Sequence, residues 1–153
     1  MPPPRSRPKN LAGYLSALSR PVFSAGMSWR VVDAKWDGIS QAFDDFDPRK
    51  VASFGPDEVD RLVANEAVIR SRPKIEAVID NAQTLLDLEA EYKGFRKYLR
   101  SQGGYDALAA DLQKRFHYIG PSGAYTFLYL VGEEVPPHSG WTHERHSGRR
   151  PRR

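Results

Sequence analysis

Apolar residues recur every three or four positions along most of this chain, and the rhythm stops where proline, glycine or a short polar residue intervenes. Leu11, Tyr14, Leu15 and Leu18 share one helical face behind Asn10, a residue suited to accept the first free amides, so the spacing predicts a helix over 10–19. Pro21 is predicted to interrupt it, because a proline ring collides with the preceding helical turn. Ser28 is a second cap; it predicts a helix from about Trp29, with a third following Asp37-Gly38. Asp47-Pro48 and Gly55-Pro56 repeat one device, a capping or flexible residue before proline at the first helical position, and predict short helices over 48–54 and 56–65.

The longest helix is predicted over 73–92, where Ile75, Val78, Ile79, Ala82, Leu85 and Leu86 trace one stripe; it is the expected central helix. Gly94 opens a short helix that ends at Gly103-Gly104, and Leu108 and Leu112 mark another over 105–115. After a tight turn around Gly120-Pro121, residues 122–131 are apolar almost all round, as in a helix enclosed on several sides. No segment has the period of a strand. The expected fold class is all-α, a compact multi-helix domain.

Composition narrows the setting. A chain of 153 residues with 40% hydrophobic and 27% charged content suits one domain with a useful core. There is no cysteine, which excludes disulfides and thiolate metal ligands and fits a reducing compartment, so a cytoplasmic location is expected. The N-terminus lacks the apolar region of a secretory signal, and no run approaches the roughly 18 apolar residues of a membrane span. The net charge of +4 is carried by the ends: Arg5, Arg7 and Lys9 at one, five arginines against Glu144 at the other, leaving a slightly acidic body. The organisation read from this is a basic flexible segment over 1–9, a helical domain over 10–132 and a disordered Pro/His/Arg-rich tail over 133–153. Basic ends suit a polyanionic partner but also serve simply as solvated tails. His138, His143 and His146 lie in that tail and are not taken as a metal site; no metal and no cofactor is expected.

The segment Phe116-His117-Tyr118-Ile119-Gly120-Pro121-Ser122-Gly123-Ala124, between two predicted helices, fits a helix-hairpin-helix motif. An apolar residue followed by glycine lets the hairpin turn, and small residues open the second helix. Unpaired amides around Gly120, Ser122 and Gly123, aided by the helix dipole, can hold one phosphate of a DNA backbone. Lys114 and Arg115 stand beside them for further phosphate contacts. Such contacts position DNA without reading its sequence. An ordinary helix corner with a glycine cap accounts for the same residues, and Tyr118 occupies a position that many such hairpins give to glycine.

Four ordered segments carry a resemblance over about 10–131. Ala25-Gly26-Met27-Ser28-Trp29 is similar to A-G-L-S-W of the DNA-3-methyladenine glycosylase I family, and Phe46-Asp47-Pro48-Arg49-Lys50-Val51-Ala52 to its F-D-P-x-x-V-A. The run from Ile69 through Arg70, Arg72, Lys74 and Ile75 to Asn81-Ala82 resembles its I-R-x-R-x-K-I-x-A-x-x-x-N-A. Lys114 to Pro121 resembles its hairpin K-R-G-F-K-F-V-G-P with one residue removed.

The resemblance implies a monofunctional glycosylase of the helix-hairpin-helix superfamily, a monomer that flips an alkylated purine such as 3-methyladenine out of double-stranded DNA and hydrolyses its N-glycosidic bond. It assigns Trp29 as the base-stacking residue, with Phe23 and Tyr14 as further candidates for the pocket lining. The chain also departs from the family. Pro21 stands where the family carries a base-recognising glutamate, the family's N-terminal motifs have no counterpart, and its zinc-binding cysteines are absent. No catalytic carboxylate is assigned: Asp33, Asp37, Asp44 and Asp45 suit capping or solvated roles, and Glu133 and Glu134 are weak candidates at the domain's edge. The alternatives are a DNA-binding module that keeps the hairpin without the chemistry, and a helical protein-interaction domain.

Overall fold

The computed structural model describes residues 5–137. Over these residues the chain forms eight α-helices and one 3-10 turn, with no strand: α1 (Leu11–Ser24), α2 (Trp29–Ala42), a turn at Asp44–Phe46, α3 (Pro48–Ala52), α4 (Pro56–Ala64), α5 (Arg72–Tyr92), α6 (Phe95–Leu99), α7 (Tyr105–Arg115) and α8 (Pro121–Leu130). None of these helices is long and apolar enough to cross a membrane. The caps at Asn10, Ser28 and Asp47 work as the sequence leads one to expect, each accepting an amide of the following turn, and prolines open α3 and α4; Ser71 caps α5 in the same way. Helix α5 is the centre, packed by α1, α3, α4 and α6, while α8 lies against α1 and α7.

Two predicted breaks are not breaks. Helix α1 continues through Pro21 to Ser24. A proline inside a helix costs about 3 kcal/mol, but the added turn places Val22 and Phe23 wholly inside the core, and burying two such side chains recovers about 3–6 kcal/mol. Helix α2 runs without interruption through Asp37-Gly38. Gly38 serves close packing there, since a Cβ at that position would come within 3.0 Å of the Ala67 Cβ.

The core holds two groups of rings. Phe23, Trp36, Phe43 and Phe46 pack together, with Phe43 and Phe46 stacked at 5.5 Å. Tyr14, Phe95, Tyr98, Phe116 and Phe127 form the second group. Asp44 and Asp45 lie in the turn between α2 and α3 at φ 54° and 55°, a left-handed conformation that aspartate tolerates better than most residues, so their role is conformational.

Segments assigned to flexible ends are tied down where they are described. The Ser6 amide donates to the Leu130 carbonyl at 2.8 Å. Arg5 lies 4.4 Å over the Tyr129 ring and donates to the carbonyls of Tyr129 and Glu133. Past α8, the Glu133 side chain meets Arg100, and the Tyr125 hydroxyl donates to the Pro136 carbonyl. His138, His143, His146 and the arginine-rich end lie outside the described residues.

Candidate base-binding cleft and hairpin

A cleft of about 460 Å³ opens between the C-terminal end of α1, the loop leading into α2, and the connection from α7 to α8. One wall is Pro21, Ser24 and the run Ala25 to Trp29; the other is Tyr118, Gly120, Ser122, Gly123 and Thr126. Both sequence-predicted motifs, about ninety residues apart, therefore face each other. The two walls meet at Gly123 and Pro21, where a Cβ on Gly123 would stand 3.4 Å from the Pro21 Cβ, an ordinary contact distance.

Each wall is fixed by a polar side chain from α5. The Lys74 ammonium donates to the carbonyls of Phe23 at 3.0 Å and Ala25 at 2.6 Å, capping the negative end of α1 and holding the cleft loop. Burial lowers its pKa from the ordinary lysine value. Asn81 makes a two-way clamp on the opposite wall: its amide group donates to the His117 carbonyl and its oxygen accepts from the His117 amide at 2.8 Å. Both side chains are almost fully buried. In the sequence, the only signal of these two roles is a lysine and an asparagine at positions of α5 that face the core.

Trp29 lies at the first position of α2, partly exposed on the cleft wall, with Ser28 capping the helix beneath it. The other two pocket candidates fall elsewhere. Phe23 is fully buried among Trp36 and Phe43, and Tyr14 packs edge-on against Phe95 with its hydroxyl accepting from Arg96. Neither lines the cleft, because helical geometry turns them to the core side of α1 while Pro21 and Ser24, three residues apart, share the cleft side.

The hairpin residues come together with one change of role. The left-handed residue is Tyr118, at φ 61°, while Gly120 has an ordinary φ of −97° and nothing within 4 Å of a Cβ built on it. Gly120 is thus not needed for the turn; what it provides is bare backbone. Pro121 opens α8 and no side chain caps that helix end, so the amides of Ser122 and Gly123 stand beside an open surface. Lys114 is exposed, whereas Arg115 is engaged at 2.7 Å by Asp111, which also accepts from the Tyr98 hydroxyl. Burial and this neighbouring carboxylate push the Tyr98 hydroxyl well above the ordinary phenol range.

The acidic candidates are distant or occupied. Asp33 pairs with Arg20 at 2.9 Å, and Glu133 lines a different cavity with Arg100, so neither belongs to the cleft. Among the described residues no cluster of acidic and histidine side chains could hold a metal ion.

The methyladenine glycosylase family model matches residues 13–107. The chain is 32% identical over 129 residues to DNA-3-methyladenine glycosylase 1 of Escherichia coli (strain K12), spanning 71% of this chain and 69% of that protein. It is 30% identical to the DNA-3-methyladenine glycosylase of Haemophilus influenzae, spanning 71% and 70%. A crystal structure of 3-methyladenine DNA glycosylase I superimposes with a TM-score of 0.74 at 27% identity, covering 83% of this chain and 81% of the other. The Staphylococcus aureus enzyme, studied for its recognition of 3-methyladenine, superimposes with a TM-score of 0.71 at 27% identity, covering 86% and 79%. On the matched motifs, the identity and the shared fold, the chain belongs to the methyladenine glycosylase family.

Proposed function

We propose that this protein is a monofunctional DNA glycosylase of base-excision repair, which flips an alkylated purine of the 3-methyladenine kind from duplex DNA and hydrolyses its N-glycosidic bond. The observation that carries this is the cleft itself, with Trp29 on one wall and the open hairpin backbone on the other. The amides of Ser122 and Gly123, with Lys114 nearby, hold a backbone phosphate and seat the duplex against the cleft mouth. The extruded base stacks on Trp29, whose π-face attracts an electron-poor ring.

Methylation at N3 makes the purine a good leaving group. The water oxygen bonds to C1′, the electron pair of the C1′–N9 bond departs with the base, and the water's spare proton passes to solvent. The chain needs no cofactor for this, and works as a monomer in the cytoplasm. Its contribution is extrusion, orientation and access for water, since the cleft wall presents no carboxylate to act as a base.

That same lack favours one other reading, a module that binds duplex DNA and has lost the chemistry. Incubating the purified protein with methylated duplex DNA and measuring free base separates the two. Release that vanishes in Trp29→Ala supports the glycosylase; salt-sensitive duplex binding without release of any methylated base supports the module. Duplex binding that does not weaken with salt, or is absent, removes both.

A further inference from the structure

The hairpin region offers little positive charge of its own. Of the two cations that precede it, Lys114 is exposed, but Arg115 is held by Asp111 at 2.7 Å, and the body of the chain is slightly acidic. The excess positive charge lies at the two ends of the chain, and α8 sends them in opposite directions. At the C-terminal end of α8 the Ser6 amide donates to the Leu130 carbonyl and Arg5 lies over the Tyr129 ring, so the first basic segment is fastened away from the hairpin. The last one is turned the other way. Gly132 takes a left-handed conformation at φ 82°; its amide donates to the Tyr129 carbonyl and the Glu133 amide to the Leu128 carbonyl, the pair of bonds that closes a helix and reverses the chain. The reversed segment then runs back along α8, since the Tyr125 hydroxyl donates to the Pro136 carbonyl at 3.0 Å. Tyr125 stands only about 4.5 Å of helix rise beyond Ser122, and a helical side chain leans toward the N-terminal end of its helix. Pro136 and Pro137 thus deliver the chain to the end of α8 that carries the open amides, and their fixed φ favours an extended course.

We propose that residues 138–153 are a second DNA-binding element, whose arginines hold duplex phosphates beyond the one seated at the hairpin. The segment contains Arg145, Arg149, Arg150, Arg152 and Arg153 against Glu144. An arginine fork pairs with phosphate oxygens and displaces counterions condensed on the duplex, a contribution that does not depend on base sequence. At up to about 3.5 Å per residue, the segment reaches more than one turn of duplex, about 34 Å, from Pro137. It supplies what the cleft lacks. No residue lining the cleft is charged, so affinity for undamaged duplex, which keeps a protein on DNA between lesions, comes from outside it. The inference rests on the glycosylase reading only for its use of duplex DNA, and gives these arginines no part in recognising or cleaving the base.

The test compares the whole chain with two variants by fluorescence anisotropy of an unmodified duplex of about three helical turns, from about 50 to 200 mM salt, alongside release of free base from methylated duplex. One variant combines Arg145→Gln, Arg149→Gln, Arg150→Gln, Arg152→Gln and Arg153→Gln; the other combines Arg7→Gln and Lys9→Gln in the first basic segment. The five-arginine variant is expected to bind about 100-fold more weakly at the lower salt, and its slope of log affinity against log salt to be shallower by about 3, as the loss of three or more phosphate contacts implies. The Arg7 and Lys9 variant is expected to keep the parent's slope within about 1. A five-arginine variant with the parent's affinity and slope overturns this inference and leaves the glycosylase reading intact. Tighter binding by that variant also overturns it, since the arginines would then be covering the acidic body. An equal loss per charge from both basic segments makes the effect one of net charge and overturns the placement. Weakened binding in the five-arginine variant, with no base released by the parent, overturns the glycosylase and sustains this inference. A parent that does not bind duplex overturns both.

Discussion

Two cavities of similar size are built from opposite materials. The cleft between α1 and the hairpin, about 460 Å³, is lined by hydroxyls, backbone and aromatic rings with no charged residue. The second, about 420 Å³ and sharing no lining residue with the first, is bordered by Arg7, Arg100, Glu133 and Glu134. Charge would single out the second as the chemical site. Two of its charges, however, answer each other, since Arg100 pairs with Glu133, and beside it Arg5 and Ser6 are fastened to the end of α8. The neutral cleft instead keeps an unpartnered hydroxyl and an uncapped helix end. A site is recognised here by what is left unsatisfied, not by how much charge it contains.

That contrast can be broken by substitution on either side. The largest effect is expected at Trp29: replacing it with alanine should reduce release of methylated base about 100-fold, near the upper worth of one stacked aromatic, with little change in folding because the ring is partly exposed. Gly120→Asp comes next. It places a carboxylate where a phosphate is proposed to sit and should weaken duplex affinity about 30-fold, the scale of a charged hydrogen bond. Its melting temperature should match the parent, since the position has ordinary φ and open space. A variant that bound duplex as well as the parent would remove the phosphate-binding role of the hairpin.

Lys74→Met tests the support beneath the cleft. Two carbonyls lose their donor, so chemical denaturation should show a loss of about 2–3 kcal/mol, and base release should fall with the loosened loop. On the charged side, Arg5→Ala removes a stacked cation and two hydrogen bonds, and should cost about 1–2 kcal/mol of stability while base release stays within twofold of the parent. An equal fall in release would mean that the two cavities are coupled, which would blur the distinction between them.

Much of the helical outline is legible in the sequence because capping and periodicity are local. Asn10, Ser28, Asp47-Pro48 and Gly55-Pro56 start helices where their chemistry indicates, and α7 spans 105–115 as its spacing predicts. Pro21 and Gly38 mislead for a common reason. Their local preference argues for a break, but Pro21 is followed by two residues that the core takes in whole, and Gly38 is where another segment must come close. Trp29 and the hairpin were visible through their motifs. Phe23 and Tyr14, equally aromatic and near in sequence, were not separable from Trp29 by sequence distance, because which side of α1 meets the core depends on α5 and α8.

The sequence by itself determined an all-helical chain, the positions of most helix starts, the absence of thiol chemistry, and the family through ordered motifs. Only the tertiary structure decided that the loop before α2 and the hairpin before α8 share one cleft, that Lys74 and Asn81 reach from α5 to hold its two walls, and that the Ser24 hydroxyl is left buried without a partner. Local patterns arise from interactions within a turn or two of helix. Which groups remain unsatisfied is settled only when residues about ninety positions apart are packed against each other.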